Sequence, residues 1–577
     1  MKILYIDLQT EMSEEKKLAD PLVGGRLLTS QLVTELVDPQ TDPLGVGNAL
    51  VFAAGPLSGK RISTGGRLSI GGKSPLTGGI KEANAGGMAG DSLAVLGYRA
   101  LAIIGNTERA NPVVLVLDEN GVRIEAGKKY WGLDNETLAA SLHQNFGDNY
   151  VVISIGTGGE QQLKAAGIAV TDEQGKPFRL AARGGLGAVM GAKGIKAILI
   201  QRANLNDHHV EDPSARKSSI EFNRFVAANE RVKVLREYGT ASTVMPVQIL
   251  AGLPVRNFSQ GRLENAESLS GETMRDLIEA RGGMGTPSEA CMAGCVIQCS
   301  NIFPDEDGKL AAAPVEFETI GLCGANIGIN TLDDVARINH LCNDIGLDTI
   351  EIGAALGVMM EAAEKGTAPP PYDQADLPHF GDAERAIELV AEIGEGTSLG
   401  KLLGDGVVAT GHALGVTRIP AVKGQALSAY DPRVVKGTGV TYATSPQGAD
   451  HTAGLTLFAP VKHEDPETAI QVSRSAQLQR AAYDALGLCV FNLGATALRT
   501  DIIQNMLEAH YEIELQDGWL NDLGKRVIDT ELAFNHAAGF TKDDDRLPAY
   551  FETEKLQPKG FVFDIPHDAL DAIWDED

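Results

Sequence analysis

The chain has 577 residues, 43% of them hydrophobic, which at about 100–200 residues per domain implies roughly three domains with ample cores. It carries 77 acidic against 50 basic residues, a formal charge of −27. That balance excludes the cationic footprint of a nucleic-acid binder and attachment to an anionic membrane surface, and no run reaches the roughly 18 apolar residues of a membrane span.

In chain order, Met1–Leu8 alternates as the first strand of a folded domain and not as a signal peptide, so a cytoplasmic protein is expected. Val113–Leu117 and Val122–Glu125 flank Asn120-Gly121, a hairpin signal. Further strands are predicted at Leu101–Ile104, Val151–Ile155 and Ala197–Ile200. From 212 the apolar spacing becomes helical, as in Ser218–Glu237, Thr331–Asn343 and Ala383–Ile393, with Pro369–Pro371 in a loop. Pro466–Leu486 reads as another helix, with acidic residues suited to its first turn. Trp574–Asp577 reads as a frayed acidic end. The fold class is therefore α+β: a β-rich domain over 1–203, then two mainly helical domains over 212–415 and 416–577.

One short similarity recurs. Asn343–Asp348 and Asp484–Cys489 share the form polar-x-x-Gly-Leu-(Asp/Cys), each after a helical stretch, where glycine suits a left-handed helix end. Alone these are two ordinary helix termini, but the second ends on a cysteine.

Of six cysteines, Cys291, Cys295 and Cys299 crowd into nine residues, which is metal or cluster spacing and not a disulfide framework. Three thiolates plus a distant fourth can hold a [4Fe–4S] cluster, and Cys489 is the natural fourth. Structural zinc is the rival, yet no histidine lies nearby and the paired spacing of zinc sites is absent. The spacing also differs from the C-x₃-C-x₂-C of radical enzymes that use S-adenosylmethionine. Cys323 and Cys342 read as small core residues. Two basic, glycine-rich stretches, Gly65–Gly79 with Asn84–Gly87 and Arg179–Lys193, suggest loops that cradle an anionic cofactor, although tight turns explain much of their glycine. Neither matches a Walker or dinucleotide motif.

Lys73–Gly78, Asn84–Gly87, Arg183–Gly191, the cysteine cluster, Glu316–Thr319, Asn343–Asp348, Tyr430–Arg433, Ser445–His451 and Asp484–Cys489 occur in the order seen in aldehyde:ferredoxin oxidoreductases, which the chain resembles from its first strand to beyond residue 500. The resemblance implies tungsten (or molybdenum) held by the dithiolenes of two pterins, a nearby [4Fe–4S] cluster, and Mg²⁺ linking the pterin phosphates. It implies Arg67 between cluster and pterin, and Asn84, Gly86, Ala182 and Arg183 about the phosphates. Asn343, Asp348 and Asp484, with Leu488, would serve the pterin rings, and Cys291, Cys295, Cys299 and Cys489 the cluster.

The chain departs from the family at Asn343, more often aspartate, and in its C-x₃-C-x₃-C spacing. It also has no Glu-x-x-His, so a metal-bridged dimer is not expected, although another homo-oligomer is possible.

The implied reaction oxidises an aldehyde to a carboxylate and passes electrons to ferredoxin. A relative that reduces aromatic thioesters with partner subunits, and a non-catalytic iron–sulfur carrier, are the alternatives. Ferredoxins are acidic too, so docking needs a local basic patch near the cluster. Glu316 and Glu318 alternate in Val-Glu-Phe-Glu-Thr and on a strand would face one way. By resemblance one of them, Glu318 first, is the base, with His451 and Tyr430 hydrogen-bonding substrate. As bare residues they read as a solvated strand face and a structural histidine.

Overall fold

The computed structural model describes residues 1–107, 110–205, 212–459 and 465–575. The expected acidic end at 574–577 has its last two residues outside the described ones. No helix among the described residues is long and apolar enough to cross a membrane.

Twelve strands form two six-stranded sheets near the amino terminus. The first sheet contains β1 (Lys2–Asp7), β2 (Met12–Lys17), β3 (Leu50–Ala54), β4 (Leu68–Lys73), β5 (Ile80–Ala85) and β6 (Tyr98–Ile104). The second contains β7 (Val113–Asp118), β8 (Gly121–Ala126), β9 (Tyr150–Ser154), β10 (Ile168–Val170), β11 (Arg179–Ala181) and β12 (Ile195–Gln201). The orders are β2-β1-β6-β3-β4-β5 and β8-β7-β12-β9-β10-β11, so the second repeats the first strand for strand. Directions repeat as well: β1–β6 and β7–β12 are parallel, and the other pairs are antiparallel. Leu50, Phe52 and Ile70 share one core with Leu115, Ile153 and Ile198, so the sheets pack face to face.

The repeat includes the connections. β5 passes through Gly86-Gly87 into a helix, Ala89–Val95, and through Gly97 into β6. β11 passes through Gly184-Gly185 into Leu186–Ala192, and through Gly194 into β12. Each sixth strand then opens with a buried cation, Arg99 or Lys196. Arg99 donates to the carbonyl of Gly55 beyond β3, and Lys196 donates to that of Ile155 beyond β9 at 2.8 Å.

The helices expected at Thr331–Asn343, Ala383–Ile393 and Pro466–Leu486 are present as Leu332–Ile345, Ala383–Glu395 and Pro466–Leu486. Three expectations are corrected. Ser218–Glu237 is two helices, Pro213–Ala228 and Glu230–Tyr238, because the Asn229 side chain accepts from Arg231 N (3.0 Å) and starts the second.

Residues 68–73 of the first glycine-rich stretch are strand β4, not loop. A Cβ on Gly71 would lie 2.6 Å from Thr29 Cβ, so this glycine admits the helix Gly25–Leu36 onto the sheet.

Val-Glu-Phe-Glu-Thr is not a strand. Glu316 precedes a helix, Phe317–Cys323, whose first N–H donates to Thr240 Oγ1 at 2.9 Å. Phe317, Ile320 and Leu322 are all buried, so packing overrides the short alternation.

Candidate active site

The two recurring turns seat on the duplicated sheets. Gly346 (φ 83°) and Gly487 (φ 73°) end their helices in the left-handed region that glycine adopts freely. A Cβ on Gly156, after β9, would stand 2.3 Å from Ile345 O. One on Gly55, after β3, would stand 2.2 Å from Leu486 O. The third strand of each sheet thus ends on a glycine that admits one helix terminus, and the buried cation of the sixth strand fixes the backbone there.

At the first sheet, Cys489 N donates to Thr64 O (3.0 Å), and Val296 N donates to Ser63 Oγ (2.9 Å). The loop 61–64 thereby joins Cys489 to the segment carrying Cys291, Cys295 and Cys299. All four thiols are free. A hydrogen bond from Cys295 pulls the Cys291 thiol down to about 6, and burial raises Cys489. Gly87 N donates to Cys291 O (2.7 Å), and a Cβ on Gly86 would come 3.3 Å from Cys291 Sγ. Arg67 binds Asn84 through Nε, and its backbone N–H donates to Gly487 O at 3.2 Å. Its charge lies in the field of Cys489 and Cys291. Among the described residues, no three His, Cys, Asp or Glu side chains converge to hold one metal ion.

Asp484 opens the second turn. It lies 3.4 Å from Arg26 Nη1 and accepts from Asn84 Nδ2 at 3.4 Å. Arg26 is buried and forks onto Glu531 at 2.8 and 2.7 Å. Burial, offset by Arg26, Arg67 and Arg480, raises Asp484 to about 6. Burial and then the Asp484 charge raise Glu82, on β5, to about 8. Leu488 is wholly buried, and its N–H donates to Tyr483 O at 3.0 Å.

At the second sheet, Arg183 donates to Ala426 O and Ala449 O, each at 2.6 Å, and to Asp348 Oδ2 at 3.3 Å. Asp348 also caps the following helix through Ile350 N at 3.0 Å. Asn343 Nδ2 donates to Ala313 O (3.2 Å), and Ala182 beside Arg183 stays half-buried. Lys81, from the first sheet, crosses to Asp450 at 2.7 Å. Burial opposes ionisation of Asp450, but Lys81 and Arg183 outweigh it and hold the carboxyl well below the usual range.

The structure brings Glu318, His451 and Tyr430 together. Glu318 Oε2 accepts from Ala429 N (2.8 Å), and Oε1 lies 3.4 Å from His451 Nε2 with no hydrogen-bond partner among the described residues. His451 Nδ1 pairs with Ser428 Oγ at 2.9 Å. The Tyr430 ring stands 6.0 Å from the imidazole, and burial, then the Glu318 charge, pushes its phenol well up. Glu316 is elsewhere: it accepts from Thr240 Oγ1 and lies in the field of Cys299. The polar interior also leaves Glu82 Oε1, Gln425 Oε1 and Gln447 Nε2 buried and unpartnered among the described residues. Each such atom costs about 1–3 kcal/mol unless a polar ligand meets it. A large polar cofactor fits these residues.

Sequence reasoning missed Lys81, Glu82, Asp450, Arg26 and Glu531. The pattern Gly-Gly-x₉-Gly-Tyr-Arg-Ala at 86–100 against Gly-Gly-x₈-Gly-Ile-Lys-Ala at 184–197 carried the duplication, and hence β5 with Lys81 and Glu82. Nothing local marks Arg26 or Glu531, whose partners lie hundreds of residues away.

Buried thiols beside a set of opposed buried charges, on a duplicated sheet scaffold, are the equipment of a redox enzyme. The sequence of its amino-terminal part, residues 3–202, matches the family described as aldehyde ferredoxin oxidoreductase, N-terminal domain. Residues 217–575 match domains 2 and 3 of the same family. The chain belongs to the aldehyde ferredoxin oxidoreductase family and is an oxidoreductase. It is 31% identical to the tungsten-containing aldehyde ferredoxin oxidoreductase of Pyrococcus furiosus, over 96% of this chain and 90% of that one. The protein of the same name from Thermococcus kodakarensis is also 31% identical, over 97% and 92%. The aliphatic sulfonate oxidoreductase WOR-like subunit of Pyrococcus furiosus is 26% identical, over 96% and 89%. Among solved structures, the active site complex BamBC of benzoyl coenzyme A reductase with 1,5-dienoyl-CoA shares the fold. Its TM-score is 0.76 at 19% identity, covering 95% of this chain and 90% of that one.

Proposed function

We propose that the protein oxidises an aldehyde to a carboxylate at a tungsten (or molybdenum) bis-pterin centre and passes two electrons through a [4Fe–4S] cluster to ferredoxin or a similar carrier. The observation that carries this reading is Arg67: its guanidinium bonds Asn84 and lies in the field of Cys291 and Cys489, while its backbone N–H donates to Gly487 O. One cation thus couples a four-thiol set to a polar interior that asks for a large ligand. Bound there, the metal would supply the electron sink and polarise the carbonyl.

The work divides by region: 1–203 holds the pterins, 212–415 three cluster cysteines, and 416–577 the fourth. Cys291, Cys295, Cys299 and Cys489 would hold the cluster. Asn84, Gly86, Ala182 and Arg183 would hold the phosphate and Mg²⁺ end, and Asn343, Asp348, Asp484 and the Leu488 backbone the ring edges. Arg183 is spent largely on protein acceptors, so it also braces the loop 426–450.

Aldehyde and water yield carboxylate, two electrons and protons, and the protons need a base. Glu318 is that base: Oε2 is anchored by Ala429 N, and Oε1, 3.4 Å from His451 Nε2, takes the proton. His451, fixed by Ser428, orients substrate, and the Tyr430 phenol donates to the carbonyl oxygen. Glu316 faces the thiols and is not the base.

The test is elemental analysis of anaerobically purified protein with viologen-dye reduction by aldehydes, aryl-CoA thioesters and alkyl sulfonates. Tungsten or molybdenum with iron, and turnover on aldehydes alone, is expected. Turnover only on a thioester or a sulfonate, or iron without the heavier metal, overturns the reading.

A further inference from the structure

The outer side of the cysteine segment carries a feature that the reaction does not use. A cavity of about 600 Å³ opens there, with Ala293 and Gly294 in its wall and Arg61 and Arg202 among its lining. A second depression, about 420 Å³, shares Gly294 and Glu173 with the first and has Cys295 itself in its wall. Gly294, between two cluster cysteines, is exposed, and open space lies where its Cβ would stand.

The charge here runs against the rest of the molecule. In a chain of net charge −27, Glu173 is the one carboxylate among the described residues that line the first cavity, against Arg61 and Arg202. Neither arginine has an ion-pair partner among the described residues, unlike the arginines that brace the interior. Arg61 sits two residues before Ser63, which holds Val296 N, and three before Thr64, which holds Cys489 N. One of the two cations, Arg61, thus stands on the loop that grips both halves of the thiol set, and the other, Arg202, faces the same cavity.

We propose that this face is the docking surface for the electron acceptor, a small acidic one-electron carrier protein, with Arg61 and Arg202 pairing its carboxylates and the backbone at Gly294 nearest its redox centre. The proposal rests on the function proposed above for the direction of electron flow. Each aldehyde oxidised reduces two oxidised carriers by one electron each, in successive encounters, and no bond to the partner forms. Long-range repulsion between two acidic proteins makes such a local patch necessary, and it selects orientation more than it adds affinity.

The test uses the anaerobic holoenzyme and an acidic bacterial-type ferredoxin as probe. In the double variant R61E/R202E, KM for ferredoxin and the Kd for oxidised ferredoxin should each rise about tenfold or more, with the gap to wild type narrowing as salt is added. Aldehyde-dependent reduction of benzyl viologen, which needs no docking, should stay at the wild-type rate. R61K/R202K should retain most of the ferredoxin rate. A control reversal at exposed Lys401 and Lys559, which line neither depression, should leave both acceptors unaffected. Unchanged ferredoxin binding in R61E/R202E overturns the proposal. So does equal loss with ferredoxin and viologen, or wild-type protein that does not bind ferredoxin. Binding without any aldehyde turnover, in contrast, sinks the function and leaves the surface standing.

Discussion

The two sheets are one design used twice, and their differences assign the work. Each receives a helix end on a glycine and fixes that contact with a buried cation, Arg99 or Lys196. The sixth residue of the seated turn then differs. Cys489 faces the thiol segment and Arg67, whereas Asp348 caps a helix and pairs with Arg183. Counting back from each Gly-Gly pair, Asn84 matches Ala182 and Glu82 matches Leu180, so the buried carboxyl has no counterpart. Symmetric scaffolding supplies two equivalent seats, and under the proposed function single residues would make the first an electron exit and the second the neighbour of a proton site.

The largest effect that would break this comparison is at the sixth position. Cys489→Ala should abolish the paramagnetic signal of the cluster in reduced protein, while Asp348→Ala keeps it. A signal that survives Cys489→Ala removes the fourth ligand and the asymmetry with it. Next come the two buried arginines. Arg26→Met takes the cation from Glu531 and Asp484, and Arg183→Met strands Asp348 while Asp450 keeps Lys81, so each should cost about 3–5 kcal/mol in denaturant unfolding. If only one does, the halves are not braced alike.

Proton chemistry should respond only near the second seat. Glu318→Gln and His451→Asn should each lower turnover about 10²-fold or more at unchanged metal and pterin content, and Glu316→Gln far less. Near-normal turnover in fully metallated Glu318→Gln would move the base off this helix. The smallest effect concerns Glu82. Its carboxyl is raised to about 8, against about 4.3 when unfolded. Its contribution to stability is full below the unfolded value and is lost as pH rises through 8. Melting temperature should therefore decline from about pH 4.3 to 8, and Glu82→Gln should flatten that decline. An unchanged pH profile would show that Glu82 is not the group responsible.

Legibility followed the range of the interactions. Helix starts were plain because caps are local: Thr331 and Asp465 each accept from a backbone N–H at their own helix. The glycine-helix-end turns were plain for the same reason. The duplicated sheet was not, because its signal is spread thinly over short strands that pair across tens of residues. Glu316 and Glu318 were read as a strand because their alternation is local, while the packing of Phe317, Ile320 and Leu322 that makes a helix there is not. The Lys81–Asp450 and Arg26–Glu531 pairs span 369 and 505 positions, and no spacing rule reaches that far.

The loop 61–64 grips Cys489 and the segment around Cys295 at once, so the thiol set is carried on two stretches far apart in the chain and held together by a third. A ribosome delivers them in order, and at about 5–20 residues per second the fourth cysteine emerges roughly ten to forty seconds after the third. Throughout that interval three thiols stand together with no partner to close them, open to oxygen and stray metal. If the four thiols hold the proposed cluster, its loading would therefore follow synthesis of the whole chain.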